Sequence, residues 1–107
     1  MTDNVVRMWK ATIAASDVAA WVDTYRTRVL PKMNSIDGFR GAQFLVERDV
    51  DPCGVTVLTT FDSMDAVRRF AGEDPARTVL PDFMAAYFPT YDDRASFHDQ
   101  VLLEPSI

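Results

Sequence analysis

The chain has a single histidine, His98. With an unperturbed pKa of about 6.5, it is the one side chain that could exchange protons at neutral pH without strong tuning. Arg7 and Trp9 lie two apart in VVRMWKATI, so they share a face if that stretch is extended. A guanidinium there could stabilise an enolate or phenolate oxygen, and an indole could stack on an aromatic substrate. With His98 as general base, on a last strand that the split βαβ plan sets beside the first at a register not fixed by sequence, the three are the catalytic candidates. Each also has a structural reading: a hydrogen-bonded strand histidine, an arginine paired to a carboxylate, a core tryptophan.

A second group surrounds them. Phe83, Tyr87, Phe88 and Tyr91 lie in or just after PDFMAAYFP, where a cap over a pocket would form. Phe83, Tyr87, Tyr91 and Arg40 are the substrate-binding candidates, although aromatic residues at three and four residue spacing also build cores. Arg40 and Gln43 reach either a cavity or a subunit surface. Arg26, Arg28 and Lys32 could attract an anion or form a solvated helix end. Cys53 is the only cysteine; it has no basic or histidine neighbour to lower its pKa and reads as an incidental thiol. The methionines fill core gaps. A lone histidine makes a poor metal site, so no metal and no cofactor are expected.

Composition narrows the classes. A chain of 107 residues, 48% hydrophobic and 25% charged, is expected to form one soluble globular domain over residues 1–107. A net charge of −5 leaves no basic stripe to neutralise phosphates, so nucleic acid is not an expected partner. No apolar run approaches the ~18 residues of a membrane span, and the N-terminus lacks a leader-like apolar core. Cytoplasmic location is the expectation.

These residues need elements to position them. Asn4–Ile13 reads as a strand rich in β-branched and aromatic residues. Ser16 or Asp17 can cap a helix whose Val18, Trp21, Val22, Tyr25 and Val29 share a face, and Pro31 ends it or forces a new turn. Phe39–Arg48 and Val55–Phe61 read as strands joined by a DVDPCG hairpin turn. Asp62–Ala71 is helical by period, Pro75 and Pro81 each suit a helix start, and PDFMAAYFP supplies about two turns. Ala95–Glu104 is the last strand. The order β-α-β-β-α-β predicts an α+β, ferredoxin-like split βαβ fold: a four-stranded antiparallel sheet with helices on one face.

In such a sheet the uncovered face should be polar. Here Val6 and Met8 oppose Val5, Trp9, Ala11 and Ile13, Leu58 opposes Val57, and Phe44 and Val46 oppose Phe39 and Leu45. A second subunit packed face to face is the simplest cover, so a homodimer is expected. The acidic stretch FDSMDAVRRFAGEDP reads as helix punctuation. Asp62 caps, Asp65 sits in the first turn, Arg68 and Arg69 near the last, Gly72 stops the helix, and Asp74 caps the next turn.

That stretch, with IDGFRGA (Ile36 to Ala42), VVRMWKA and SFHDQVLLE, resembles the antibiotic biosynthesis monooxygenase family over nearly the whole chain. The resemblance implies a dimeric α+β barrel and a small cofactor-independent monooxygenase-like protein acting with O2 on an aromatic, quinol or polyketide-type molecule. The substrate would supply the reducing power. Relatives often carry His-Tyr on the last strand where this chain has His98-Asp99, and the tryptophan of the haem-degrading branch has no counterpart in the helix from Ser63. A non-catalytic dimeric ligand-binding or accessory protein, or a cyclase or isomerase using His98 as base, is the alternative on the same fold.

Overall fold

The computed structural model describes residues 3–105. Strand β1, Val5–Ile13, alternates cleanly: Arg7, Trp9, Ala11 and Ile13 are buried, while Val6, Met8 and Lys10 between them are half-buried or exposed. This is the period-two signature of a strand with one face on a core. It sits in the middle of an antiparallel sheet ordered β2-β3-β1, with β2 at Phe39–Val46 and β3 at Cys53–Phe61.

The far edge of β1 is shared. Its second half pairs with β4, Thr90–Tyr91, through Ala11 opposite Tyr91. Its first half pairs with β5, Ser96–Asp99, through Arg7 opposite Phe97 and Val6 opposite His98. The sheet therefore has five strands where the sequence predicts four. The expected strand Ala95–Glu104 contracts to four residues, and Val101, Leu102 and Leu103 beyond it stand 58–67% exposed.

One face of this sheet carries all the helices. A short turn at Ala15–Asp17 leads into α1, Val18–Thr24, followed by a wide π turn, Tyr25–Val29, and α2, Leu30–Asn34. The sequence predicts that Pro31 ends the helix or forces a new turn, and the second outcome is found. The chain stays helical to Asn34, and the turn before the proline widens, with the Leu30 N–H donating to the Tyr25 carbonyl. Pro31 has no N–H, and its ring would crowd the carbonyl four residues back, so a wider turn relieves both problems.

Helix α3, Met64–Ala71, is capped by Ser63, whose Oγ accepts the Ala66 N–H at 3.1 Å. The expected cap, Asp62, is engaged instead by Arg40 at 3.1 Å. Gly72 ends the helix as expected, but at φ +88°, ψ −163°, a positive-φ conformation outside the left-handed helical region that the sequence predicts. Asp74 binds Arg94 through both oxygens at 2.9 Å. No helix starts at Pro75, and α4, Asp82–Ala85, is one turn where PDFMAAYFP predicts two.

A β-bulge corrects the expected faces of β2. The register shifts between Phe39 and Gly41, so that Phe39 opposes Phe61 and Phe44 opposes Val57. The extra residue lets Phe39 and Phe44, five apart, both point to the helical side. Two hydrophobic clusters result. One gathers Met33, Phe61, Ala66 and Val67; the other gathers Trp9, Ile13, Trp21, Val55, Met84 and Phe88.

Candidate functional site

Between the sheet and the first helical run lies a cavity of about 380 Å³, within the range of small-molecule sites. Trp9 forms part of its wall, and its indole N–H is committed. It donates to the Asp92 carbonyl at 2.8 Å and to Thr78 Oγ1 at 3.1 Å, which ties the late loop to β1. Trp21 stacks on Phe44, with ring centroids 4.4 Å apart and planes within 4°, and Phe88 meets both tryptophans edge-on. Phe83 and Met84 close the wall from α4.

The polar atoms are few. Arg7 is 5% exposed, yet no carboxylate among the described residues pairs with it. The ion pairs there are Arg40–Asp62, Arg68–Asp65 and Arg94–Asp74. Its Nε donates to the Pro75 carbonyl at 3.2 Å and its Nη2 to the Arg77 carbonyl. The guanidinium lies 5.3 Å from the Phe70 ring centroid. Burial holds its pKa below the ordinary arginine value, but a guanidinium stays protonated regardless. The result is a fixed positive charge in the cavity wall, held by neutral partners.

Tyr25 is the second. Its hydroxyl is buried and has no hydrogen-bond partner, alone in this among the buried side-chain polar atoms of the described residues, and the residue lines the cavity. Burial pushes its pKa above the ordinary tyrosine value. The phenol therefore stays neutral at physiological pH and keeps a proton to donate. An orphaned buried hydroxyl costs about 1–3 kcal/mol, so this one calls for a physical explanation. Thr59 also lines the wall, but its hydroxyl is turned to the Arg7 carbonyl at 3.4 Å.

Of the residues singled out from sequence, Arg7, Trp9, Phe83, Phe88, Arg28 and Lys32 line this cavity. His98 does not join them. It pairs with Val6, one residue out of phase with Arg7, so its side chain stands on the opposite face of the sheet. There it is exposed, and its Nε2 is 2.9 Å from Ser96 Oγ. Tyr87 is hydrogen bonded to Thr24 Oγ1 at 3.0 Å outside the wall, Tyr91 is 44% exposed on edge strand β4, and Arg40 pairs with Asp62 at the surface.

Tyr25 was missed as a polar group because its spacing matches the apolar helix face. The sequence clue was the proline six residues on, which widens the turn that carries Tyr25. Among the described residues no cluster of three or more His, Cys, Asp or Glu side chains could hold a metal ion, and no helix is long and apolar enough to cross a membrane.

Solved structures share this fold across nearly the full chain. SnoaB, a cofactor-independent oxygenase from Streptomyces nogalater, superposes with a TM-score of 0.67 over 98% of this chain and 100% of its own, at 16% identity. A monooxygenase from the gene ActVA-Orf6 of Streptomyces coelicolor, in complex with Nanaomycin D, gives 0.67 over 96% and 93%, at 18% identity. A Bacillus cereus chain named for antibiotic biosynthesis monooxygenases gives 0.66 over 97% of each, at 11% identity. The fold is that of the antibiotic biosynthesis monooxygenases. At these identities the likeness is one of fold. No protein-family model matches the sequence. Over 48 residues, 45% of this chain, it is 44% identical to uncharacterized proteins of Mycobacterium tuberculosis strains H37Rv and CDC 1551 / Oshkosh, and it spans only a fifth of their length. On the monooxygenase fold, the cavity described here lies between the sheet and its helical layer.

Proposed function

We propose that the protein is a cofactor-independent, monooxygenase-like enzyme that binds a phenolic or quinol-type aromatic molecule in this cavity. The observation that carries the reading is the buried Arg7, a fixed cation with no carboxylate partner among the described residues, on the same largely apolar, aromatic cavity wall as Tyr25, whose buried hydroxyl has no partner. A phenolate oxygen between them would receive a charge-assisted bond and a neutral one. Stabilising that anion lowers the substrate's own pKa, and its proton leaves to solvent, since the wall contains no carboxylate or imidazole. The electron-rich ring then reacts with O2. One oxygen atom stays on the ring, the other leaves as water with two substrate hydrogens, and a phenol becomes a quinone with all four electrons drawn from the substrate.

Oxygen uptake by metal-free, flavin-free protein with a panel of phenols and quinols tests this. Turnover that falls at least ~100-fold in Tyr25→Phe or Arg7→Met supports it, the loss expected of an oxyanion donor. Absence of any uptake across the panel sinks it. The same lack of a base on the wall favours a second reading, a ligand-binding protein without turnover, which would show binding and no oxygen uptake. His98 as the base of a cyclase or isomerase draws no support from its position on the other face of the sheet.

The homodimer belongs to the same proposal. Val6, Met8, Leu58 and Leu45 occupy the sheet face that no helix covers, and none is fully buried within the chain. A second sheet packed there would remove them from water. A monomer mass by light scattering at micromolar concentration would refute it.

A further inference from the structure

We infer that the cavity selects organic anions, taking a flat apolar body whose acidic group lies at the mouth against Arg28 and Lys32. This deepens the functional reading above and rests on it only for which cavity is the site. The chain carries 16 acidic side chains against 11 Lys and Arg, so a charged residue drawn at random would more often be negative. The cavity wall reverses this. It contains Arg7, Arg28 and Lys32 and no Asp or Glu among the described residues. A cleft of one sign with low-dielectric walls focuses its field on an incoming ligand.

Arg28 and Lys32 are four apart on the helical run, so they stand on one side of it, and both are exposed. Neither forms an ion pair or a side-chain hydrogen bond among the described residues. The Arg28 guanidinium lies 3.7 Å from the centroid of the Phe83 ring, itself part of the wall. That stacking fixes the cation over the aromatic surface while its N–H edge stays available for a carboxylate fork. A carboxylate at this depth keeps contact with water, so it avoids the desolvation cost that Arg7's deeper position would impose. The two cationic places thus divide the ligand: a weakly acidic oxygen inside at Arg7, a permanently charged group outside at Arg28 and Lys32.

The test uses 2-naphthoate and its neutral isostere 2-naphthamide. The chain's two tryptophans, Trp9 and Trp21, both line the cavity, so their fluorescence reports occupancy. We expect naphthoate to bind about tenfold more tightly than the amide, the size expected of two charge contacts at a half-open site. The Arg28→Gln/Lys32→Gln variant should bring the ratio close to one with amide affinity unchanged. Both residues are exposed, so folding is retained and circular dichroism verifies it. Equal affinities in the parent protein, a preference untouched by the variant, loss of both ligands together, or no binding of either overturns the inference. Oxygen uptake separates it from the functional reading. A neutral quinol consumed as readily as its carboxylated analogue removes the anion preference and leaves the oxygenase. Naphthoate preference without any uptake does the reverse.

Discussion

The two ends of the helical layer are built to opposite standards. At one, Phe61, Ala66 and Val67 are fully enclosed, and the loop before β2 is locked against α3. Asp62 N–H donates to the Gly38 carbonyl at 2.8 Å, and Arg69 Nη1 donates to the Asp37 carbonyl at 2.9 Å. Gly38 sits at φ +94°, where an added Cβ would lie 2.5 Å from Asp62 Oδ1 and 2.6 Å from Ala66 Cβ. At the other end, large aromatic rings surround empty space, and a tyrosine hydroxyl is left without a partner. Dense interiors punish any change of volume, whereas an open one tolerates change but loses whatever occupant it was shaped for. One end stabilises the chain; the other spends part of that stability.

Four substitutions bear on this contrast, from the largest expected effect to the smallest. Phe61→Ala at the dense end should cost about 3–5 kcal/mol, read from urea unfolding with the slope unchanged. A loss under about 1 kcal/mol would mean that this end is not close-packed. Gly38→Ala combines a left-handed backbone with a clash against Asp62 and Ala66, and should cost about 2–3 kcal/mol in the same experiment.

Tyr25→Phe at the open end should go the other way, neutral or stabilising by up to about 1 kcal/mol, because it removes a buried hydroxyl that has no partner. The pH dependence provides an independent reading. Burial raises the folded-state pKa of Tyr25 above its unfolded value of about 10. Its contribution is therefore complete below pH 10 and is lost as pH rises through the folded value. The parent protein should lose stability in alkali more steeply than the phenylalanine variant, and parallel curves would show that the phenol is solvated.

The smallest effect concerns Asp74, whose pKa is lowered chiefly by its hydrogen bond from Arg94. Stability from this pair is present above the unfolded carboxylate pKa and is lost as pH falls through the depressed one. Being exposed at the surface, the pair should register only as a slightly flatter acid limb in Asp74→Asn, and a large change there would contradict its surface character.

The dense end is also the one legible in the sequence. IDGFRGA and FDSMDAVRRFAGEDP, stretches that carry the family resemblance, are the partners in the Gly38, Asp37 and Asp62 contacts, so the resemblance marks packing. Strand order and the helices on one face followed from hydrophobic period and turn residues. Parity did not. The bulge at Phe39/Gly41 adds a residue that no propensity marks, and it puts Phe39 and Phe44, which strict alternation sets on opposite faces, on the same one. His98 was set beside Arg7 on adjacent strands without a register, and a single residue of register separates the two faces of a sheet. Arg7 and Trp9 were legible as a pair because they lie on one unbroken strand, where period two is reliable. Tyr25 was hidden among apolar neighbours of the same spacing.

The π turn at Tyr25–Val29 holds one more residue than a helical turn needs, and that residue sets the phase of everything after it. Were the same residues wound as ordinary α-helix instead, the following turn would be rotated by about 100°. Lys32 and Met33 would swing off the cavity wall while the sheet beneath stayed unchanged. Part of the shape of this site is thus encoded in the winding of one turn, and that winding can change while every side chain on the wall keeps its identity.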